Sequence, residues 1–232
     1  MSRSSGSSPV LAGPSGERRD ANQFFGTPDP ILPAMAARFM ETMLTPTVLA
    51  AQDHYYGRHA AVVGAAGHDP LEEEERVFIE ARDSFYMATV TQDGWPYVQH
   101  RGGAPGFLHV VGPTQLAFAD LKGNRQLLST GNLAADGRVA LFLMDYPNRE
   151  RLKIIGHART EDARGNPGLV ARLAPPEARG LVERLFFIEV LSFDWNCPKY
   201  ITPRFTAAEV EAVAAPLRRR IAELEARMEP GK

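Results

Sequence analysis

From Phe85 to Phe193 the chain alternates short β-prone runs with turn signals, and few folds accept that pattern. Phe85-Tyr86-Met87-Ala88-Thr89-Val90-Thr91 reads as a strand, and Gln92-Asp93-Gly94 after it as a hairpin turn. Trp95 to Gly102 is the return strand, with Pro96 marking an edge or bulge because proline donates nothing to a ladder. Phe107 to Val111, the turn Gly112-Pro113-Thr114, and Leu116 to Ala119 form a second hairpin. Val139 to Met144, Leu152 to Ala158 and Leu185 to Phe193 add three more strands. Helices fall between the hairpins, so the pattern predicts a mainly β chain with helices (α+β), an antiparallel barrel with helical additions. No G-x-G-x-x-G or Walker A run is present, which argues against a doubly wound parallel sheet.

Helix signals flank this core. Asp69-Pro70-Leu71-Glu72 offers an N-cap Asp, Pro at N1 and Glu at N3, predicting a helix that buries Val77, Phe78 and Ala81. Pro46 to Arg58 predicts another helix, and Ala60 to Gly67 a loop. Leu121 to Leu133 should hold a short helix opened by a Gly-Asn-Arg turn; Gly168 to Leu173 and Pro176 to Val182 are weaker. Thr206 and Glu209 form a capping box before Val210, Val213, Leu217, Ile221, Leu224 and Met228, which step by three or four. Pro216 should kink or divide that helix. Its apolar seam would either pack on its own barrel or form a dimer coiled coil.

The expected domain plan is a disordered tail over 1–27, a helical extension over 28–68, the barrel over 69–205 and a C-terminal helix over 206–232. The Ser/Gly/Pro/Arg-rich start lacks the apolar stretch of a secretory signal. No apolar run spans a bilayer, and a net charge of −2 gives no nucleic-acid footprint. Cys197 is the only cysteine, so no intrachain disulfide forms, in keeping with a cytoplasmic location. The six histidines show no zinc spacing, so no metal is expected.

Two segments carry the candidate site. In Tyr97 to Arg101, alternation sets Tyr97, Gln99 and Arg101 on one face and Val98 and His100 on the other. A groove-facing Arg needs a partner, either a phosphate or a carboxylate. Gly102 and Gly103 leave room for a planar ring against the backbone. Next comes Asp120-Leu121-Lys122-Gly123-Asn124-Arg125-Gln126, where amides at a helix start and Arg125 suit an anionic group. A third stretch, Asp194 to Phe205, places Trp195 and Arg204 around two prolines, either as a site-lining loop or as a packed structural connection. Cys197 has no neighbouring base in sequence, and no G-x-S-x-G occurs, so catalytic residues stay unknown.

Taken in order, these segments resemble the pyridoxamine 5′-phosphate oxidase family of FMN-binding split β-barrels. The resemblance runs from about Glu74 to Phe205. It rests on Asp93-Gly94-Trp95-Pro96-Tyr97, His100-Arg101-Gly102-Gly103, Asp120-Leu121-Lys122-Gly123-Asn124-Arg125, Arg151-Leu152-Lys153-Ile154-Ile155-Gly156-His157-Ala158 and the Trp195…Arg204-Phe205 ending. It implies a homodimer with FMN at the subunit interface and a small-molecule substrate, without nucleic acid or membrane. It implies that Gln99, His100, Arg101, Gly102 and Gly103 lie along the flavin and its phosphate, with Asp120 beside them. Asn124 and Arg125 match a Ser/Arg pair of the oxidase, and Gln126 stands where that family has a Lys. Arg101 or Lys153 would replace that charge, and Trp195 and Arg204 would approach the ring.

One departure bears on the substrate. Lys199-Tyr200-Ile201-Thr202 stands where the oxidase has an Arg-Leu-His segment that handles pyridoxal, which speaks against vitamin B6 oxidation. The implied function is an FMN-dependent oxidoreductase with hydride transfer through the flavin. The alternatives are a flavin-binding sensor or carrier without turnover, or a split barrel that takes haem or deazaflavin.

Overall fold

A computed structural model describes residues 34–59, 67–195 and 199–228. The expected tail over 1–27, most of the loop over 60–67 and Cys197 lie outside the described residues.

Seven strands form one antiparallel sheet: β1 (Ser84–Val90), β2 (Pro96–Gly102), β3 (His109–Gly112), β4 (Gln115–Leu121), β5 (Arg138–Asp145), β6 (Glu150–Asp162) and β7 (Val182–Trp195). Their order is β2-β1-β5-β6-β7-β4-β3, an antiparallel arrangement with helices as the strand pattern predicted and as the split barrel of the resemblance implied. Pro96 opens β2, which lies at the sheet edge where a missing N–H costs no ladder bond. At the β1–β2 turn Gly94 takes a left-handed φ of 85°, and its N–H donates to the Thr91 carbonyl.

Alternation decides what is buried. On β1, Phe85, Met87 and Thr89 point inward. On β7, Phe186, Ile188 and Val190 do the same. Phe85, Phe107, Phe118 and Phe186 form a chain of ring contacts, with Phe118 and Phe186 stacked at 4.7 Å. Offset aromatic stacking of this kind adds to the area buried. Between β6 and β7 the register slips at Gly156, where an added Cβ would stand 2.1 Å from the Glu189 carbonyl oxygen. Only glycine allows that approach.

The helix expected from Asp69 begins later. Helix α3 runs Glu73–Glu80, and its capping box joins Glu72 and Glu75. The backbone of 69–71 is instead tied to the sheet. Asp69 N–H donates to the Leu191 carbonyl at the bulge, and Leu71 N–H donates to the Pro113 carbonyl at 2.6 Å. Ser192 Oγ donates to the Asp69 carboxylate, so the predicted cap residue is already engaged. The buried stripe of α3 is Glu75, Phe78 and Ile79, while Val77 and Ala81 are exposed.

Helices α1 (Ala34–Met43) and α2 (Pro46–Tyr56) precede it. Phe39 anchors α1 beside β7, and α2 buries nothing. Helix α4 (Leu128–Ala135) starts well after the expected opening turn, because β4 continues to Leu121 and 122–127 is irregular. Helix α5 (Pro167–Leu173) and a 3-10 stretch over Pro176–Leu181 join β6 to β7. Helix α6 (Ala207–Met228) passes through Pro216 undivided, so of the expected kink or division the division does not occur. None of its residues is buried, so it does not pack on its own barrel.

Candidate functional site

β2, β4, the 123–127 segment, α4 and the α5 region enclose a cavity of about 740 Å³. That volume lies within the usual range for a small-ligand or cofactor pocket. Of the sequence-predicted residues, Gln99, His100, Arg101, Gly102, Gly103, Asp120, Asn124, Arg125 and Gln126 all line it. β2 alternates as expected: Tyr97, Gln99 and Arg101 are half-buried, while Val98 and His100 are exposed.

Arg101 is held by a carboxylate of its own chain. Its Nη1 donates to Asp120 Oδ1 at 2.6 Å, and its guanidinium sits 4.9 Å from the Phe186 ring and 5.8 Å from the Phe118 ring. Burial pulls its pKa below the ordinary value and the Asp120 charge opposes that shift; an arginine stays charged in either case. Its Nε is buried without a hydrogen-bond partner. Asp120 is fully used: Oδ2 accepts from Arg184 Nε at 2.9 Å and from Nη2 at 2.8 Å. Asp120 therefore positions two guanidinium groups at the cavity wall.

The 123–127 segment differs from the expected helix start. Asn124 Oδ1 accepts from Gln126 N–H, and its Nδ2 donates to Gln126 Oε1, so Asn124 shapes a turn and caps no helix. Arg125 and Leu127 adopt left-handed backbone, with φ of 62° and 56°. Two non-glycine residues in that region, two positions apart, concentrate strain at the cavity wall. Leu127 occupies the N-cap of α4 without a side-chain bond, and Leu128, Ser129 and Thr130 follow as lining residues. Ser129 Oγ donates to Gln99 Oε1 at 2.9 Å and fixes that side chain.

The glycines serve a different purpose from the one expected. A Cβ on Gly103 would stand 2.6 Å from Phe107 Cγ, and one on Gly102 would stand 3.1 Å from the His100 ring. Space at these positions is taken by the chain's own side chains.

Three expected site residues lie elsewhere in the single chain. Trp195 donates Nε1–H to Glu75 Oε1 at 2.7 Å and meets the Phe78 ring edge-on at 4.7 Å. That is the packed, structural alternative. Lys153 pairs with Asp194, opposite it across β6 and β7, at 2.5 Å. Arg204 lies over the Tyr146 ring at 5.0 Å.

Arg172, Arg179 and Arg184 were missed in the sequence, and all line the cavity. Arg179 is clamped to α5, donating to the Ala171 and Ala174 carbonyls. Arg184 stands two residues before buried Phe186 on the same strand face, a placement that alternation alone makes visible. With Arg101 and Arg125, five arginines and one carboxylate, Asp120, line the cavity, which is strongly positive. Among the described residues no cluster of His, Cys, Asp and Glu could hold a metal, and no helix is long and apolar enough to cross a membrane.

No curated protein matches the chain. Among solved structures, a putative pyridoxamine 5′-phosphate oxidase from Lactobacillus delbrueckii is similar at 20% identity and a TM-score of 0.42, covering 54% of this chain and 94% of that one. An FMN-binding protein from Syntrophomonas wolfei is similar at 12% identity and a TM-score of 0.39, covering 55% and 86%. HutZ, the haem storage protein from Vibrio cholerae, is similar at 15% identity and a TM-score of 0.40, covering 55% and 94%. The family model of pyridoxamine 5′-phosphate oxidase matches residues 71–174, which include α3, β1 to β6 and most of the cavity wall. Over these residues the chain is similar to the pyridoxamine 5′-phosphate oxidase family.

Proposed function

We propose that this protein binds FMN in the β2–β4–α4 cavity and uses it as an oxidoreductase. The observation that carries the reading is the charge of that cavity: five arginines against one aspartate, in a pocket of about 740 Å³. A phosphomonoester carries close to two negative charges at neutral pH, and guanidinium groups bind it bidentately. The residues present fit such a group. Arg125 and Asn124 would hold the phosphate at the 123–126 turn. Arg101 Nε is a buried donor still without a partner. Gln99, fixed by Ser129, would present its amide along β2.

Bound FMN would supply hydride or electron transfer, and the chain would supply position and electrostatics. Asp120 keeps Arg101 and Arg184 from turning away, so positive charge stays on one wall. Phe107 and Phe118 provide apolar lining that limits water. A second copy of the chain completing the site is part of this proposal, because Arg204 lies outside the cavity of its own chain.

The absorbance spectrum of purified protein tests the reading. Added FMN should be retained through gel filtration, with a perturbed flavin spectrum. A colourless protein that takes up no FMN would overturn it, and a Soret band would point to haem. Anaerobic addition of NADH or NADPH then separates an oxidoreductase, whose flavin bleaches, from a carrier, whose flavin does not. Arg125→Gly keeps the left-handed backbone and removes the guanidinium, so it should weaken FMN binding about tenfold or more.

A further inference from the structure

Helix α6 is 22 residues long and buries none of them. Val210, Val213, Leu217, Ile221, Leu224 and Met228 are 42–80% exposed. Their steps of three and four place them on one stripe. Charges flank the stripe in order. Glu211 and Arg218 each follow a stripe residue, while Glu209 and Arg220 each precede one. The first two bond to each other two turns apart, which shows that they share a flank.

We propose that α6 pairs antiparallel with α6 of a second copy of this chain, about a two-fold axis between Ala214 and Ala215. In that register Glu211 meets the partner's Arg218 and Glu209 meets the partner's Arg220, and symmetry repeats each pair. Antiparallel helices bring like flanks together, so both contacts join opposite charges. Val210, Val213, Leu217 and Ile221 interleave with the same residues of the partner. Leu224 comes level with the partner's Phe205, which is exposed in the single chain.

The competing registers fail on charge. Full overlap centred on Arg219 covers the whole stripe, but it sets Arg219 against its own copy and, two residues off level on the shared flank, brings Arg218 beside the partner's Arg218 and Glu211 beside the partner's Glu225. A parallel pair brings neither Glu209 nor Glu211 to an arginine. None of this depends on what fills the cavity, so the pairing stands if no flavin binds.

Cysteine cross-linking of the full chain in a Cys197→Ser background tests the register. Glu211→Cys and Arg218→Cys in one helix are about 10.5 Å apart along its axis, too far for a disulfide. Oxidation of that double variant should give a covalent dimer, and neither single variant should. Glu209→Arg added to the double variant should lower the yield about fivefold. Arg220→Glu added on top should restore it. No covalent dimer from the double variant would overturn the proposal. Single variants that cross-link as well as the double would overturn it equally, because they would show another register.

Discussion

Arg101 Nη1 lies 2.6 Å from Asp120 Oδ1, and each side chain is only 11% exposed. The same carboxylate holds Arg184 through its other oxygen, so one anion neutralises part of two buried cations. Removing it leaves Arg101 buried and unpaired and leaves Arg184 only Glu183, 3.1 Å away, which is costlier than losing a surface pair.

Asp120→Ala should therefore destabilise the chain by about 3–5 kcal/mol. Urea unfolding measures this directly. Lys153→Ala removes a more exposed pair, with Lys153 at 30%, and should cost about 1 kcal/mol or less. Equal losses in the two variants would mean that the Asp120 cluster carries no special weight.

Gly103 and Gly156 should answer differently to alanine. The Gly103 Cβ would meet the root of a side chain, Phe107 Cγ at 2.6 Å and Cβ at 2.8 Å, whereas the Gly156 Cβ would meet backbone oxygen at 2.1 Å. Gly103→Ala should cost about 1–3 kcal/mol and be partly rescued by Phe107→Ala, which removes Cγ and the ring. Gly156→Ala should cost more and gain nothing from trimming side chains. Thermal melts of the three variants read both claims.

The strands were legible because period-2 burial and turn residues coincide in the sequence. What escaped was anything set by pairing register. Asp120 and Arg184 lie opposite each other across β4 and β7, though 64 residues apart in the chain. No local pattern announces that pairing, so Arg101 looked as suited to a phosphate as to a carboxylate. Gly102 and Gly103 were read as space for a ligand, since their neighbours Phe107 and His100 become visible only once the chain folds back. The start of α3 moved because long-range bonds from Leu191 and Pro113 outweigh a local cap. The cavity segments 99–103 and 120–126 were found because they carry polar and small residues where a strand should carry apolar ones.

Glu75 is fully buried and accepts from Trp195 Nε1 and from the Glu72 N–H. Glu75→Leu leaves both donors unpaired, at about 1–3 kcal/mol for each unsatisfied group. Trp195 fluorescence reports the change, read in a Trp95→Phe background because Trp95 is the other tryptophan and is exposed. The emission of Trp195 should shift and its quenching by acrylamide should rise. Unchanged emission with full stability would mean that the indole does not depend on Glu75.

Asp162 caps the turn after β6 and holds Arg164 through both oxygens, with the Arg164 N–H bonded as well. Those bonds hold its carboxyl at about 2, against an ordinary 3.8. The sign follows from linkage. A carboxylate whose folded pKa is depressed contributes its stability above the unfolded value and loses it as pH falls from about 4 toward 2. Carboxyl NMR titration should find Asp162 still ionised at pH 3. In Arg164→Ala it should titrate closer to 3.8, because the side-chain bonds that favour the charged form are gone while the backbone bond remains. An Asp162 that titrates identically in both proteins would show that the guanidinium has no part in holding it.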